Sequence, residues 1–140
     1  TWSLVGSEMC IRDSHVAGQV RNGTTKGIDE NALAAYNAPF PDDDHKQGVR
    51  QFPNLVPGTP RTPSAEPNKE AWKILREWEK PFLCAFSDKD PIFSGVENSF
   101  YKLIPGCNDM PHVTIQNAGH FLQEDQPNAC VEAILSIKDI

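Results

Sequence analysis

Two side chains in this sequence have the types and positions for proton-transfer chemistry. Asp90 stands in SDKDPIF, four residues after the apolar run 82–86, and His120 stands in NAGHF, four residues after the alternating segment 112–116. A carboxylate beside an imidazole fixes which ring nitrogen carries the proton and stabilises the imidazolium formed when the other nitrogen takes one. Such a pair is a general base. Gly119 lets the loop turn tightly enough to present the ring. Asp88 competes for the acid's place, and an Asp before Pro is also a common turn former. The other histidines offer less. His112 starts a strand, and His15 borders an anomalous N-terminal stretch. His45 follows Asp42, Asp43 and Asp44, adjacent carboxylates that point in different directions, so a solvated loop is expected there and no metal site. The four cysteines (Cys10, Cys84, Cys107, Cys130) lack C-x-x-C spacing, which leaves reduced, buried thiols as the expectation.

The elements that must position Asp90 and His120 are legible around them. Phe82-Leu83-Cys84-Ala85-Phe86 is a continuous apolar run between Pro81 and Ser87, as expected of a strand covered on both faces of a parallel sheet. HVTIQ, 112–116, alternates as a second strand. Between them Val96, Phe100, Leu103 and Ile104 have helical spacing, stopped by Pro105-Gly106. Asn68 is expected to cap a preceding helix with Trp72, Leu75 and Trp78 on its core face, and Val131, Ile134 and Leu135 form the apolar stripe of a last helix. The order helix–strand–helix–strand–helix predicts an α/β fold with right-handed parallel crossovers, whose chemistry gathers at the carboxyl ends of the strands. Upstream, Asp29 caps a predicted helix over 29–36, and 43–52 is a short helical or turn segment. Five prolines from Pro53 to Pro67 mark an extended linker. Two strands make a poor open sheet by themselves, so the chain reads as the back end of a larger protein.

Composition excludes several classes of function. The chain has 140 residues, 39% apolar and 23% charged, as suits one soluble domain. A net charge of −6 argues against a nucleic-acid surface. No apolar run approaches the roughly 18 to 20 residues of a membrane helix, and a cytoplasmic location is expected. Residues 1–14, TWSLVGSEMCIRDS, carry neither a signal-peptide core nor an amphipathic period. Residues 4–14 resemble the translation of a transposase sequencing adaptor. The stretch 1–14 is therefore expected to be adaptor-derived, with 15–67 as partial helical cap and linker and 68–140 as the C-terminal part of the core.

From Val16 to Ile140 the sequence resembles the carboxyl-terminal part of haloalkane dehalogenases, within the α/β-hydrolase superfamily. The stretches that carry the likeness are AAYNAPFPDDDHKQGVRQFPNLVP, KPFLCAFSDKDPIFSG and IQNAGHFLQED. The resemblance implies a partial α/β-hydrolase fold: the C-terminal strands and helices of the parallel sheet plus part of the helical cap. It makes Asp90 the acid and His120 the base, and it places Phe52, Pro53, Val56, Ile92 and Phe93 on the halide and substrate pocket. In such enzymes an Asp carboxylate displaces halide to give an alkyl ester, which histidine-activated water hydrolyses without cofactor or metal. The implied partners are a small halogenated alkane and water, and the parent is expected to be a monomer. Nothing before Asp90 has the strand-to-helix context of the nucleophilic Asp, so the chain alone is expected to be inactive. An epoxide hydrolase or another α/β-hydrolase is the alternative within this chemistry, the former needing cap tyrosines, and Tyr36 and Tyr101 are the only two present. A non-catalytic truncated paralogue or interaction module is the alternative from another class.

Overall fold

The computed structural model describes residues 16–137, so the adaptor-like stretch and His15 lie outside the described residues. The chain divides into two compact units: one takes the described residues up to Asn22 and Ile28–Glu70, the other Gly23–Gly27 and Ala71 onward.

The first unit is helical. α1 (Val16–Asn22), which the sequence pattern did not single out, buries Ala17 and Val20. α2 (Glu30–Asn37) starts where Asp29 accepts hydrogen bonds from the N–H groups of Asn31 and Ala32, as its capping position predicts. Ala17 N–H donates to Asn37 Oδ1 at 3.1 Å, which ties the two helices. The 43–52 segment forms a 3₁₀ turn (Asp44–Lys46) and α3 (Gln47–Gln51), and a second 3₁₀ turn (Phe52–Leu55) follows with Pro53 in its first turn.

The proline-rich linker ends earlier than expected, because α4 covers Ala65–Leu75. Pro67 falls in its first turn, where an N–H would have no helical partner in any case. Asn68 is therefore not the cap: its N–H donates to Ser64 O, inside the helix. The far end is also corrected. α4 stops at Leu75, so Trp78 is not on its core face; it lies in the following turn, 37% exposed.

In the second unit β1 (Ala85–Ser87) pairs in parallel with β2 (Val113–Ile115), in the register Ala85↔Val113, Phe86↔Thr114, Ser87↔Ile115. The first strand is shorter than its apolar run. Phe82 N–H bonds Gly106 O and Cys84 N–H bonds His112 Nδ1, so a loop carbonyl and an imidazole replace ladder partners there. The run still faces two ways. Phe82, Cys84 and Phe86 pack with Ile104, Cys107, Trp72 and Phe100, whereas Leu83 and Ala85 pack with Ile115, Ala118 and Ala133. Phe100 lies on α5 (Glu97–Leu103) and stacks on Trp72 with centroids 5.8 Å apart. Within the 3₁₀ turn Pro105–Cys107 that follows, Gly106 has no room for a side chain, since a Cβ would lie 2.0 Å from Lys80 O.

The chain closes with α6 (Leu122–Asp125) and α7 (Pro127–Ser136). Here the expected apolar stripe is overturned, for Val131, Ile134 and Leu135 are all exposed and Ala133 is the buried residue. Small side chains, Ala129 and Ala133, let α7 approach Ile115, and the large ones stay exposed, Ile134 at the side of a groove it shares with Leu83 and Ala85. A shallow apolar groove of about 300 Å³, lined by Leu83, Leu122, Cys130 and Ile137 among others, runs along this helix.

Among the described residues Cys84, Cys107 and Cys130 are free thiols. Burial, reinforced by the neighbouring Cys107 thiol, pushes Cys84 up to about 12. A thiol so far from its ordinary range carries little reactive thiolate. In a native-state iodoacetamide reaction followed by peptide mass spectrometry at about pH 8, Cys130 is expected to alkylate well before Cys84. Equal rates would show that the core around Cys84 is open.

Candidate active site

Asp90 and His120 leave the sheet on adjacent loops whose course is fixed residue by residue. Past the strand ends Asp88 N–H donates to Ile115 O at 3.1 Å and Lys89 N–H to Ala118 O at 3.0 Å. Asn117 takes the left-handed conformation (φ 58°), which asparagine tolerates better than most residues. Its carbonyl accepts the Thr25 hydroxyl at 2.9 Å. Ser87 Oγ donates to Gly119 O at 2.7 Å, tying the end of β1 to the residue before the histidine.

The result is contact between the two side chains first singled out. His120 Nδ1 lies 3.1 Å from Asp90 Oδ2. A carboxylate can only accept, so Nδ1 carries the proton, and in the neutral ring Nε2 keeps its lone pair. The other Asp90 oxygen accepts the Ile92 N–H at 2.7 Å, which fixes the carboxylate across Pro91. Asp90 is 8% exposed. The His120 side chain is 28% exposed, between the edge of Phe121 and a tilted Phe93 ring whose centroid is 5.5 Å away.

Asp88 is resolved as a different kind of residue. Its Oδ1 accepts the Ala118 N–H at 3.1 Å, and this bond, with a weaker one from Asn117 and the charge of Lys89, holds its carboxyl below the usual range. It clamps the loops and does not meet the imidazole. Ile92 and Phe93 flank the Asp90–His120 pair, and both are substantially exposed. Phe52, Pro53 and Val56 belong to the first unit, where Phe52 and Val56 are exposed at and just after the 3₁₀ turn. His45 Nδ1 pairs with Asp42 Oδ1 at 2.6 Å on the surface, and among the described residues no cluster of three His, Cys, Asp or Glu side chains is placed to hold a metal. His112 is structural: its Nδ1 accepts from Cys84 N–H and its Nε2–H donates to Cys107 O at 3.0 Å.

One residue of the site went unread in the sequence. Asp125 is 2% exposed, and its oxygens accept the N–H groups of Gly119, Thr25 and Lys26. Burial by itself would raise its pKa, but these hydrogen bonds outweigh it and hold the carboxyl below its ordinary range. The sequence signal was its place five residues after His120; of its partners Gly119 is six residues away, but Thr25 and Lys26 lie 100 and 99 residues away.

A parallel strand pair whose following loops deliver first an acid and then a histidine, in contact, is consistent with a partial α/β-hydrolase fold. No protein-family model matches the chain. Curated relatives, however, are haloalkane dehalogenases: it is 50% identical over 125 residues to one from Psychrobacter cryohalolentis and 44% identical over 114 residues to one from Mycolicibacterium paratuberculosis. A third, from Mycobacterium marinum, is 42% identical over 117 residues. The matches cover 89, 81 and 84% of this chain and 41, 38 and 39% of those relatives, so it spans about two fifths of their length. Over more than four fifths of its length the sequence is haloalkane dehalogenase-like.

The lowered pKa of Asp125 has a defined sign. Its folded-state value lies below the ordinary one, so the unfolded chain binds more protons as pH falls between the two, and stability falls with it. The contribution is complete above about pH 5 and lost on descending through the folded-state value. Urea midpoints measured from about pH 6 down to about pH 2.5 should fall more steeply for the wild type than for Asp125→Asn. Parallel slopes would show that Asp125 is not the carboxylate that senses acid here.

Proposed function

We propose that this chain carries the acid and the base of a hydrolytic dehalogenation, with Asp90 as the acid and His120 as the base. The observation that carries the proposal is the 3.1 Å contact between His120 Nδ1 and Asp90 Oδ2 on adjacent loops, with Nε2 left free to accept a proton. The likeness to haloalkane dehalogenases supports the reaction class. The substrate would be a small halogenated alkane, and water the second reactant. An Asp carboxylate attacks the halogen-bearing carbon and halide leaves with the bonding pair, giving an alkyl ester. His120 Nε2 then takes a proton from water as the oxygen adds to the ester carbonyl, and alcohol and carboxylate are released. Asp90 stabilises the imidazolium formed in that step.

The nucleophilic carboxylate belongs to none of the described elements before Asp90: Asp29 is a helix cap, and Asp42, Asp43 and Asp44 lie at an exposed turn. The chain alone is accordingly read as inactive. Ile92, Phe93, Phe52, Pro53 and Val56 are proposed as apolar pocket walls, with 15–67 as partial cap and 68–140 as part of the hydrolase core. Such walls suit a substrate without hydrogen-bonding groups. The protein acts in the cytoplasm as a monomer in this reading. The epoxide alternative gains nothing from Tyr101, whose ring lies 4.3 Å from that of His112.

The test is a chimera in which residues 16–137 replace the matching segment of the Psychrobacter cryohalolentis relative. Halide release from 1-bromobutane is expected, and it should fall by about 10²- to 10⁴-fold in His120→Ala, the usual worth of a general base. Rapid-quench mass spectrometry of that variant should find the alkyl ester accumulated on the protein. A His120→Ala chimera with undiminished turnover would end the assignment, and turnover of 1,2-epoxybutane in place of the bromide would favour the epoxide reading.

A further inference from the structure

The peptide groups on both sides of His120 are anchored, and the two anchors converge. Gly119 N–H donates to Asp125 Oδ2 at 2.8 Å. Phe121 N–H donates to Gly23 O at 3.2 Å. Gly23 lies two residues before Thr25, whose N–H is 3.0 and 2.9 Å from the two Asp125 oxygens, and Lys26 N–H is 3.1 Å from Oδ1. Lys26 Nζ closes the arrangement on Asp125 O at 2.8 Å. The segments touch through backbone alone at Gly119, where a Cβ would lie 2.4 Å from Gly23 O.

We infer that Asp125 is a positioning residue for His120: one buried carboxylate holds Gly119 directly and Phe121 through the Gly23–Lys26 segment, so that Nδ1–H meets Asp90 and Nε2 is left to take the proton. The role rests on the proton transfer proposed above for His120. It requires a carboxylate, because three N–H groups converge on two oxygens. Asparagine of the same shape offers one oxygen and an NH₂ that faces donors. With the anchor weakened the loop shifts, and a hydrogen bond at 3.1 Å has little distance to spare before it ceases to be one. The ring then divides between its two neutral tautomers.

The experiment is long-range ¹H–¹⁵N NMR of the imidazoles in the full chain at about pH 8. In the wild type His120 should be the Nδ1–H tautomer and His112 the Nε2–H tautomer. In Asp125→Asn the His120 signals are expected to move to those of a tautomer mixture while His112 is unchanged, a split that general loosening would not produce. Unchanged His120 signals beside an intact His112 would overturn the role of Asp125 alone. A wild type without Nδ1–H at His120 would overturn the Asp90–His120 pair itself, and the positioning role with it. If Asp125→Asn loses the His112 signature too, wild-type amide exchange decides. Gly119 N–H slowed by about 100-fold or more against free peptide upholds the anchor, and exchange at the free rate overturns it.

Discussion

Parallel pairing of two three-residue strands is the constraint from which the site follows. The register Ser87↔Ile115 brings both strands to the same edge, and the bonds Asp88 N–H to Ile115 O and Lys89 N–H to Ala118 O carry the pairing into the loops. A shift of one residue would invert which side chains face each cluster, turning Phe86 and Ala85 onto the wrong faces. It would also part Asp90 from His120. The continuous apolar run before Ser87 holds that register, because its alternate residues fill two different clusters.

Three carboxylates stand near this edge, and their hydrogen bonds separate their tasks. Asp88 and Asp125 accept backbone N–H groups and thereby fix loops; their lowered pKa values follow from those bonds. Asp90 spends one oxygen on Ile92 N–H and keeps the other for the imidazole. The distinction is one of donor geometry and not of residue type. That is why sequence left Asp88 and Asp90 as competitors while the structure parts them at once.

Much of the frame could be read locally. Asp29 as a cap, the helix stop at Pro105 and the acid-then-histidine order all depend on neighbours within a few residues. Asn68 failed as a cap because Pro67, read as a linker residue, is equally at home in a helix's first turn. Val131, Ile134 and Leu135 failed as a packing stripe because periodicity marks an apolar face but does not say what meets it; here close approach by Ala129 and Ala133 sets the contact. Asp125 was invisible for a deeper reason. Acidic residues are common in the first turns of helices, and only its distant donors make this one distinctive.

Those donors have a kinetic meaning. Thr25 and Asp125 are a hundred positions apart, so their bond closes a loop that embraces most of the chain. Contacts at such separation cost loop-closure entropy before they return any energy, and they form slowly. The sheet and its aromatic cluster, made between residues 72 and 115, can assemble without Gly23–Lys26. The histidine loop cannot acquire its full set of anchors until that early segment arrives. Site assembly is therefore expected as a late event in folding, after the scaffold has already formed.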